Sequence, residues 1–118
     1  MPIVTIIQLG ADPSAMEARR LVLEQALPGC ILVNVTSSDE LTPALRQVAF
    51  DIAVLDANLD DIEKRRLTAL VRSHSPKTRL LELVAGPPAT DADLALDFSR
   101  PLDEVHLFRL RTLAGFLR

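Results

Sequence analysis

The sequence predicts one α/β domain built on a doubly wound, five-stranded parallel sheet. Apolar, β-branched runs alternate with stretches of helical periodicity, an order typical of a parallel sheet covered by helices. The runs are continuously apolar rather than alternating, as expected for strands that are buried on both faces. The chain has 118 residues, of which 48% are hydrophobic and 25% charged. Residues 1–118 therefore suffice for one hydrophobic core without disulfide or metal support.

The first strand and helix follow from their boundaries. Residues 3–9 are mostly apolar and end at Gly10, which predicts a buried strand. Asp12 is a favoured N-cap and Pro13 a favoured first helical residue, so a helix should begin there and end before Pro28. Its side chains at spacings of three and four are predicted to face the core: Ala15, Ala18, Val22 and Ala26.

The start of the second helix is ambiguous. After an apolar strand at 31–35, Ser37 and Glu40 have the spacing of a capping box. Pro43 would lie inside such a helix, where a proline removes a backbone hydrogen bond and clashes with the preceding turn. The alternative is a short helix that is capped by Thr42 and starts at Pro43. Both starts remain open.

The third strand, 52–55, ends at Asp56. A helix at about 59–74 should follow, because Asp60 and Asp61 suit the positive N-terminal end of a helix. Ligand sites of open α/β sheets lie at the carboxyl ends of the strands. Its place at such an end makes Asp56 a candidate functional residue.

A helix is missing between the last two strands. The apolar runs at 80–84 and 94–98 are separated by only nine residues, whereas a parallel crossover with its helix needs about 10–12. Pro87 and Pro88 also oppose a helix in the middle of this segment. The fourth helix of the fold is therefore predicted to be absent or reduced to one turn after Thr90.

The final helix, 102–117, carries more apolar residues than one narrow stripe needs. If a contiguous group of them is exposed, it marks a protein interface. The alternative is that all of them pack on this sheet. The residues spread around the helix are Leu107, Phe108, Leu110 and Phe116, and Phe98 of the fifth strand extends the candidate interface.

Composition disfavours several classes of function. The net charge is −3 without a basic block, which argues against nucleic-acid and anionic-membrane binding. No run approaches the roughly 20 apolar residues of a membrane span, no secretory signal is evident, and the lone Cys30 suits a reducing compartment. We therefore expect a cytoplasmic protein. His74 and His106 lack metal-ligand spacing, and no phosphate loop or nucleophile elbow occurs, so neither a metal site nor an enzyme is predicted.

Three motifs span Val54 to Asn58, Ser75 to Leu80 and Arg100 to Asp103. Their order and spacing resemble the receiver domain of bacterial two-component response regulators, and the resemblance extends over nearly the whole chain. It implies a flavodoxin-like fold in which Asp56 stands where receivers accept a phosphoryl group. It also implies a magnesium ion, held by an acidic pair after the first strand, because a hard dication needs several oxygen ligands and neutralises phosphoryl charge.

Residues that would support this chemistry are replaced. The acidic pair falls on Gly10 and Ala11, neither of which carries a carboxylate. The next residue, Asp12, is expected to cap its helix rather than bind metal. The Ser/Thr switch of receivers falls on Val84, which cannot hydrogen-bond a phosphoryl oxygen, and their lysine falls on Arg100.

Two further positions also differ from the receiver pattern. The aromatic switch falls near Asp97, or on Phe98 if the alignment shifts by one residue. The glycine that usually follows the acceptor loop falls on Lys64. The sequence therefore predicts the receiver fold but not the usual phosphoryl-accepting activity of receivers.

Asp56 has two interpretations. As a phosphoacceptor it would bind magnesium with only its own carboxylate and the Asn58 carbonyl as protein ligands. As an inherited structural residue it would pair with Arg100, whose planar guanidinium suits a carboxylate. We favour the second interpretation, so no cofactor is expected, and magnesium only if Asp56 is a working phosphoacceptor.

Three hypotheses for the function follow. The first is a degenerate receiver that acts through phosphorylation-independent protein binding. Its partner would be a histidine kinase, an output domain, or a second copy bound through the fifth strand and last helix. The second is a working receiver that is phosphorylated on Asp56 with non-standard supporting residues. The third is a small-molecule sensor with an apolar pocket at Gly10, Ala11 and Val84.

Overall fold

The computed structural model describes residues 3–97 and 103–115. These residues form one parallel sheet with the strand order β2-β1-β3-β4-β5. The predicted α/β fold is confirmed. The elements in chain order are β1 Thr5–Leu9, α1 Pro13–Ala26, β2 Ile31–Val35, α2 Ser38–Gln47, β3 Ile52–Leu55, α3 Asp61–His74, β4 Arg79–Leu83, β5 Leu94–Leu96 and α4 Glu104–Leu113.

The helices cover both faces of the sheet, and each face has its own apolar cluster. On one face, Leu23 of α1 and Leu110 of α4 pack with strand residues such as Val54. On the other face, Leu41 of α2 and Leu67 of α3 pack with a second set of strand residues. Burial on both faces explains why the strand sequences are continuously apolar.

The strand order reverses direction at β1, which pairs with β2 on one side and β3 on the other. Gly10 follows β1 and Asp56 follows β3, so both lie at the carboxyl edge beside this reversal. Functional sites of doubly wound folds form in such a crevice. The topology therefore places Asp56 where the sequence predicted a site.

The buried face of α1 differs from the predicted stripe. The buried residues of the helix are Met16, Leu23 and Ala26, whereas Ala18 and Val22 are exposed and Ala15 is half-buried. Of the predicted stripe only Ala26 is correct. Both sets fit helical periodicity, and the larger side chains of Met16 and Leu23 remove more apolar surface from water.

The ambiguity at α2 is settled in favour of the longer helix. Ser37 occupies the N-cap position and Pro43 lies inside the helix. The predicted capping box is incomplete, because the Ser37 side chain donates to the Glu40 carboxylate at 3.3 Å and makes no backbone cap. Pro43 is exposed, so water can replace the backbone hydrogen bond that a proline removes.

The missing crossover helix is confirmed. Residues 84–93, all of which the structure describes, contain bends but no helix. β4 begins and ends one residue earlier than predicted, and β5 ends at Leu96, before the predicted end at Phe98, which lies outside the described residues. The final helix begins after Asp103, whose side chain accepts from the His106 N–H at 2.8 Å.

None of the helices formed by the described residues is long and apolar enough to cross a membrane.

Candidate functional site

Asp56 is buried at the carboxyl end of β3, beside the end of β1. Its backbone N–H donates to the Leu9 carbonyl at 2.9 Å. Its Oδ1 accepts hydrogen bonds from the Asn58 backbone N–H and from Arg19 Nη2, each at 3.1 Å. The side chains of this ion pair are only 1% exposed for Asp56 and 11% exposed for Arg19. A cation from α1 therefore compensates the Asp56 charge.

A polar chain across the sheet holds Arg19 in this position. Arg19 Nη1 donates to Gln8 Oε1 at 3.2 Å, and Gln8 lies in β1 with no exposed surface. Gln8 Nε2 donates in turn to Asn34 Oδ1 at 2.9 Å and to the Met16 carbonyl at 3.1 Å. Because these contacts satisfy the buried amide, they fix the orientation of the guanidinium.

The other oxygen of the carboxylate, Oδ2, is covered by the loop after β1. It is buried and has no hydrogen-bond partner among the described residues. A Cβ atom built on Gly10 would lie 2.7 Å from Oδ2 and 3.0 Å from the Asp56 Cβ. Glycine lets the backbone approach this closely, and a carboxylate side chain at position 10 would require Asp56 or the loop to shift.

The residues of the site do not fit magnesium. A hard dication needs several oxygen ligands, and within residues 3–97 and 103–115 no three His, Cys, Asp or Glu side chains converge. Asp12 is engaged as the N-cap of α1, where its Oδ1 accepts from the Ser14 N–H at 3.0 Å. The predicted capping role of Asp12 is confirmed. The Asp56 carboxylate is already paired with Arg19.

The sequence predicted one pocket at Gly10, Ala11 and Val84, but the structure places these residues in two different clefts. Val84 borders a cleft of about 450 Å³ together with Asp56, Asn58 and the exposed side of α1. Gly10 and Ala11 border a different, smaller cleft of about 180 Å³ between the ends of β1 and β2 and the start of α3. The three replaced positions therefore border two clefts, and the small-molecule pocket stays a prediction.

The structure places the other predicted site residues as follows. Val84 follows β4, and its N–H donates to the Leu96 carbonyl at 3.0 Å. Phe98, Arg100 and Phe116 lie outside the described residues. The predicted pairing of Arg100 with Asp56 therefore stays a prediction, and the ion pair that the structure describes is made by Arg19.

Lys64 and Glu82 form a second buried ion pair at this edge of the sheet. Lys64 Nζ lies 3.0 Å from Glu82 Oε2 and donates to the Leu83 carbonyl at 2.9 Å. Burial raises the pKa of the Glu82 carboxyl, but hydrogen bonds from Ala89, Thr90 and Lys64 lower it more, so this pKa lies below its ordinary value. The lysine that stands at the glycine position of receivers thus has a partner inside the fold.

The last helix divides its apolar residues between core and surface. Leu110 and Leu113 are buried and Leu107 is half-buried against the same cluster, so Leu110 and Leu107 belong largely to the core. Phe108 and Val105 are 59% and 64% exposed. Of the candidate interface residues, Phe108 is therefore the exposed one within the described part of α4, and Val105 is a further exposed apolar residue on the same helix.

Neither Arg19 nor Glu82 was predicted to belong to the site, although the sequence pattern around each of them indicates a buried charge. Arg19 falls on the stripe of spacing three and four formed by Met16, Leu23 and Ala26. Glu82 interrupts the apolar strand β4. A charged residue at a core position indicates a buried partner, because an uncompensated buried charge is strongly unfavourable.

Comparisons with solved structures agree with this fold. No protein-family model matches the sequence, and no curated protein matches it. Solved structures do match. The chemotaxis response regulator CheY4 of Vibrio cholerae has a TM-score of 0.69 and 19% identity over 98% of this chain and 100% of that one. The chain has the receiver fold.

Two further solved receiver-fold structures are similar over almost all of the chain. The signal receiver domain of an HD domain-containing protein from Pseudomonas fluorescens Pf-5 has a TM-score of 0.74 and 16% identity, over 98% of this chain and 97% of that one. A response regulator from Burkholderia pseudomallei with a phosphorylated aspartic acid and a calcium ion has a TM-score of 0.72 and 19% identity, over 96% of this chain and 69% of that one. At these identities the likeness extends to the fold.

Proposed function

We propose that this chain is a receiver-fold signalling domain that acts by binding protein, without phosphorylation of Asp56 and without catalytic activity of its own. The observation that carries the proposal is the buried ion pair between Arg19 and Asp56. Oδ1 of Asp56 is shared by Arg19 and Asn58, and Oδ2 is covered by the loop at Gly10. Neither oxygen is free to act as a nucleophile towards a phosphodonor.

The electrostatics of the site support the same conclusion. Phosphoryl transfer needs cations that neutralise the charge of the transferred group. The guanidinium of Arg19 is instead paired with the acceptor carboxylate and oriented by Gln8. Val84, which replaces the hydroxyl switch of receivers, offers a phosphoryl oxygen no side-chain donor. The Asp56 carboxylate is thus neutralised by Arg19 rather than by a bound magnesium ion.

We place the protein-binding surface on β5 and α4. β5 is an edge strand of the sheet, no helix forms in the segment before it, and Phe108 and Val105 of α4 are exposed. The partner classes are a histidine kinase, an output domain or a second copy, in a cytoplasmic setting. The Pseudomonas fluorescens receiver is part of an HD domain-containing protein, which supports an output domain.

Truncating Phe108 tests this surface. We expect Phe108→Ala to weaken self-association by about 10-fold or more. The free energy of unfolding should change by only about 0.5 kcal/mol, since the ring is mostly exposed. Sedimentation equilibrium with and without acetyl phosphate and magnesium measures the association. Urea unfolding followed by circular dichroism measures the stability.

Leu110→Ala is the matched control on the same helix. Leu110 is fully buried, so its truncation should cost about 2–5 kcal/mol of stability. A chain that stays monomeric at every concentration would contradict the homodimer. A change in association caused by acetyl phosphate in the parent chain would contradict phosphorylation-independent binding.

A working phosphoacceptor is the second candidate function. The observation in its favour is the buried Asp56 Oδ2, which has no hydrogen-bond partner among the described residues. The phosphorylated aspartic acid of the Burkholderia pseudomallei neighbour adds a precedent within the fold. This function requires the Gly10 loop to move off Oδ2 and Arg19 to release Oδ1, and its signature would be a response to a phosphoryl mimic.

The cleft beside Asp56 supports small-molecule sensing as a third candidate function. Its lining is mostly apolar and includes Ala18, Val22, Leu83 and Val84, with Arg19, Asp56 and Asp97 as its charged residues. Such a wall suits an apolar ligand with a polar end. A bound small molecule that shifts the Val22 and Val84 resonances would favour this function over protein binding.

A further inference from the structure

The segment between β4 and β5, residues 85–92, takes the place of the missing helix, and we call it the strap. The buried side chain of Glu82 in β4 holds the strap by hydrogen bonds. Glu82 Oε2 accepts the Ala89 N–H at 2.9 Å, and Oε1 accepts the Thr90 N–H at 3.0 Å and the Thr90 hydroxyl at 2.7 Å. One buried carboxylate therefore provides three of the polar contacts that close the strap.

This carboxylate depends on Lys64. The Glu82 side chain has no exposed surface, and that of Lys64 is 6% exposed. A buried carboxylate without a cation is strongly unfavourable, and Lys64 Nζ supplies that cation at 3.0 Å. Lys64 also donates to the Leu83 carbonyl at 2.9 Å, so it joins α3 to the end of β4. Removing either charge leaves the other one buried and unpaired.

Within the strap, the Ala92 N–H donates to the Thr90 hydroxyl at 3.2 Å. The contacts of the strap with α3 lie at the surface: Arg65 Nε donates to the Ala89 carbonyl at 3.1 Å, and Arg72 Nη2 donates to the Asp91 carbonyl at 3.1 Å and pairs with Asp91 Oδ1 at 3.2 Å. Both arginines are exposed, and exposed charged contacts of this kind contribute little. Residues 85–88 are exposed, and Gly86 has open space around its Cα. The strap is thus fixed mainly at Ala89 and Thr90.

We propose that the Lys64–Glu82 pair is a latch that closes the strap over the α3–β4 edge, and that its release opens the strap while the sheet stays folded. Ala92 packs against the apolar cluster that includes Leu67 and Val71 of α3, so opening would uncover part of that cluster. The inference goes beyond the proposed function, since it holds whether or not Asp56 accepts a phosphoryl group.

Hydrogen exchange by NMR tests the latch residue by residue. Glu82→Gln keeps the shape of the side chain but removes the charge that Lys64 and the strap amides share. We expect the Ala89 and Thr90 amides to exchange about 10-fold faster or more. The central-strand amides of Ile7 and Val54 should exchange at the parental rate. Glu63→Gln, in an exposed pair with Arg66, is the matched control and should leave the strap unchanged.

A milder variant covers the case in which Glu82→Gln does not fold. Thr90→Val removes the hydroxyl contact to Glu82 and, within the strap, the acceptor of the Ala92 N–H. It leaves the sheet untouched and should raise exchange at Ala89 and Thr90 by about 3-fold. Unchanged exchange at both amides in the folded variants would overturn the latch. An equal increase at Ile7 and Val54 would also overturn it, because the pair would then stabilise the whole domain rather than close the strap.

Discussion

Replacing Arg19 with leucine is expected to lower the free energy of unfolding by about 3–5 kcal/mol. The substitution removes the guanidinium 3.1 Å from Asp56 Oδ1 and leaves a carboxylate that is 1% exposed with the Asn58 N–H as its remaining described partner. Leucine keeps most of the apolar stem of the side chain, so the loss reports the guanidinium contacts, with Asp56 and with Gln8 Oε1, rather than a cavity. Urea unfolding followed by circular dichroism measures it, since the chain has no Trp or Tyr for fluorescence.

A double-mutant cycle distinguishes a buried pair from two independent residues. Removing both charges in Arg19→Leu/Asp56→Leu should recover much of the stability lost in Arg19→Leu, because two apolar side chains leave no unpaired buried charge. Arg20→Leu is the matched control, since Arg20 pairs with Glu17 and Glu24 on the exposed side of the same helix. Its effect should stay within about 1 kcal/mol. An Arg19→Leu variant as stable as Arg20→Leu would show that Arg19 does not hold Asp56.

Introducing aspartate at position 10 is expected to destabilise the chain without creating a magnesium site. A Cβ atom at Gly10 would lie 2.7 Å from Asp56 Oδ2 and 3.2 Å from Met16 Sδ. Overpacking of this kind costs about 1–3 kcal/mol, and the new carboxylate adds like-charge repulsion beside Asp56. Urea unfolding should show the loss, and calorimetric titration with magnesium should show no saturable binding.

Two controls separate the close approach at Gly10 from a general intolerance of loop substitutions. Gly86→Ala introduces a Cβ where nothing lies within 4 Å and should leave stability within about 0.5 kcal/mol of the parent. Ala11→Asp adds the second carboxylate at an exposed position and should be similarly tolerated. If Gly10→Asp kept the parental stability and bound magnesium, one missing carboxylate would be all that separates this site from a metal-binding receiver.

The fold was predictable because its signals are local. Apolar runs bounded by turn residues located β2 and β3 to the residue, and Asp12 before Pro13 located the start of α1. The loss of the crossover helix followed from nine residues that include Pro87 and Pro88. These features depend on neighbours within one turn or one strand.

The contacts at the site were less predictable because they join residues that are distant in the chain. Arg19 and Asp56 are 37 positions apart, and local periodicity contains no information on which arginine reaches a given aspartate. The sequence predicted the chemical type of the partner, an arginine, but named Arg100, which lies outside the described residues. Lys64 was recognised as a replacement for glycine, yet its partner Glu82 becomes evident only when α3 lies on β4.

The face of α1 that packs on the sheet was also mispredicted for a physical reason. An alanine stripe and a stripe of Met16, Leu23 and Ala26 both have helical spacing, and side-chain size decided between them. Assigning Met16, Leu23 and Ala26 to the buried face would also have placed Arg19 on that face. One error in the packing of α1 therefore concealed the residue that neutralises Asp56.

An amide NMR titration with magnesium and then with beryllofluoride, a phosphoryl mimic, tests the central claim most directly. If Arg19 neutralises Asp56 and the Gly10 loop covers Oδ2, the resonances of Asp56, Asn58, Val84 and Gly10 should not move saturably with either addition. The spectrum of Asp56→Asn should respond in the same way. Saturable shifts around Asp56 that disappear in Asp56→Asn would contradict the claim and show that the site still works as a phosphoacceptor.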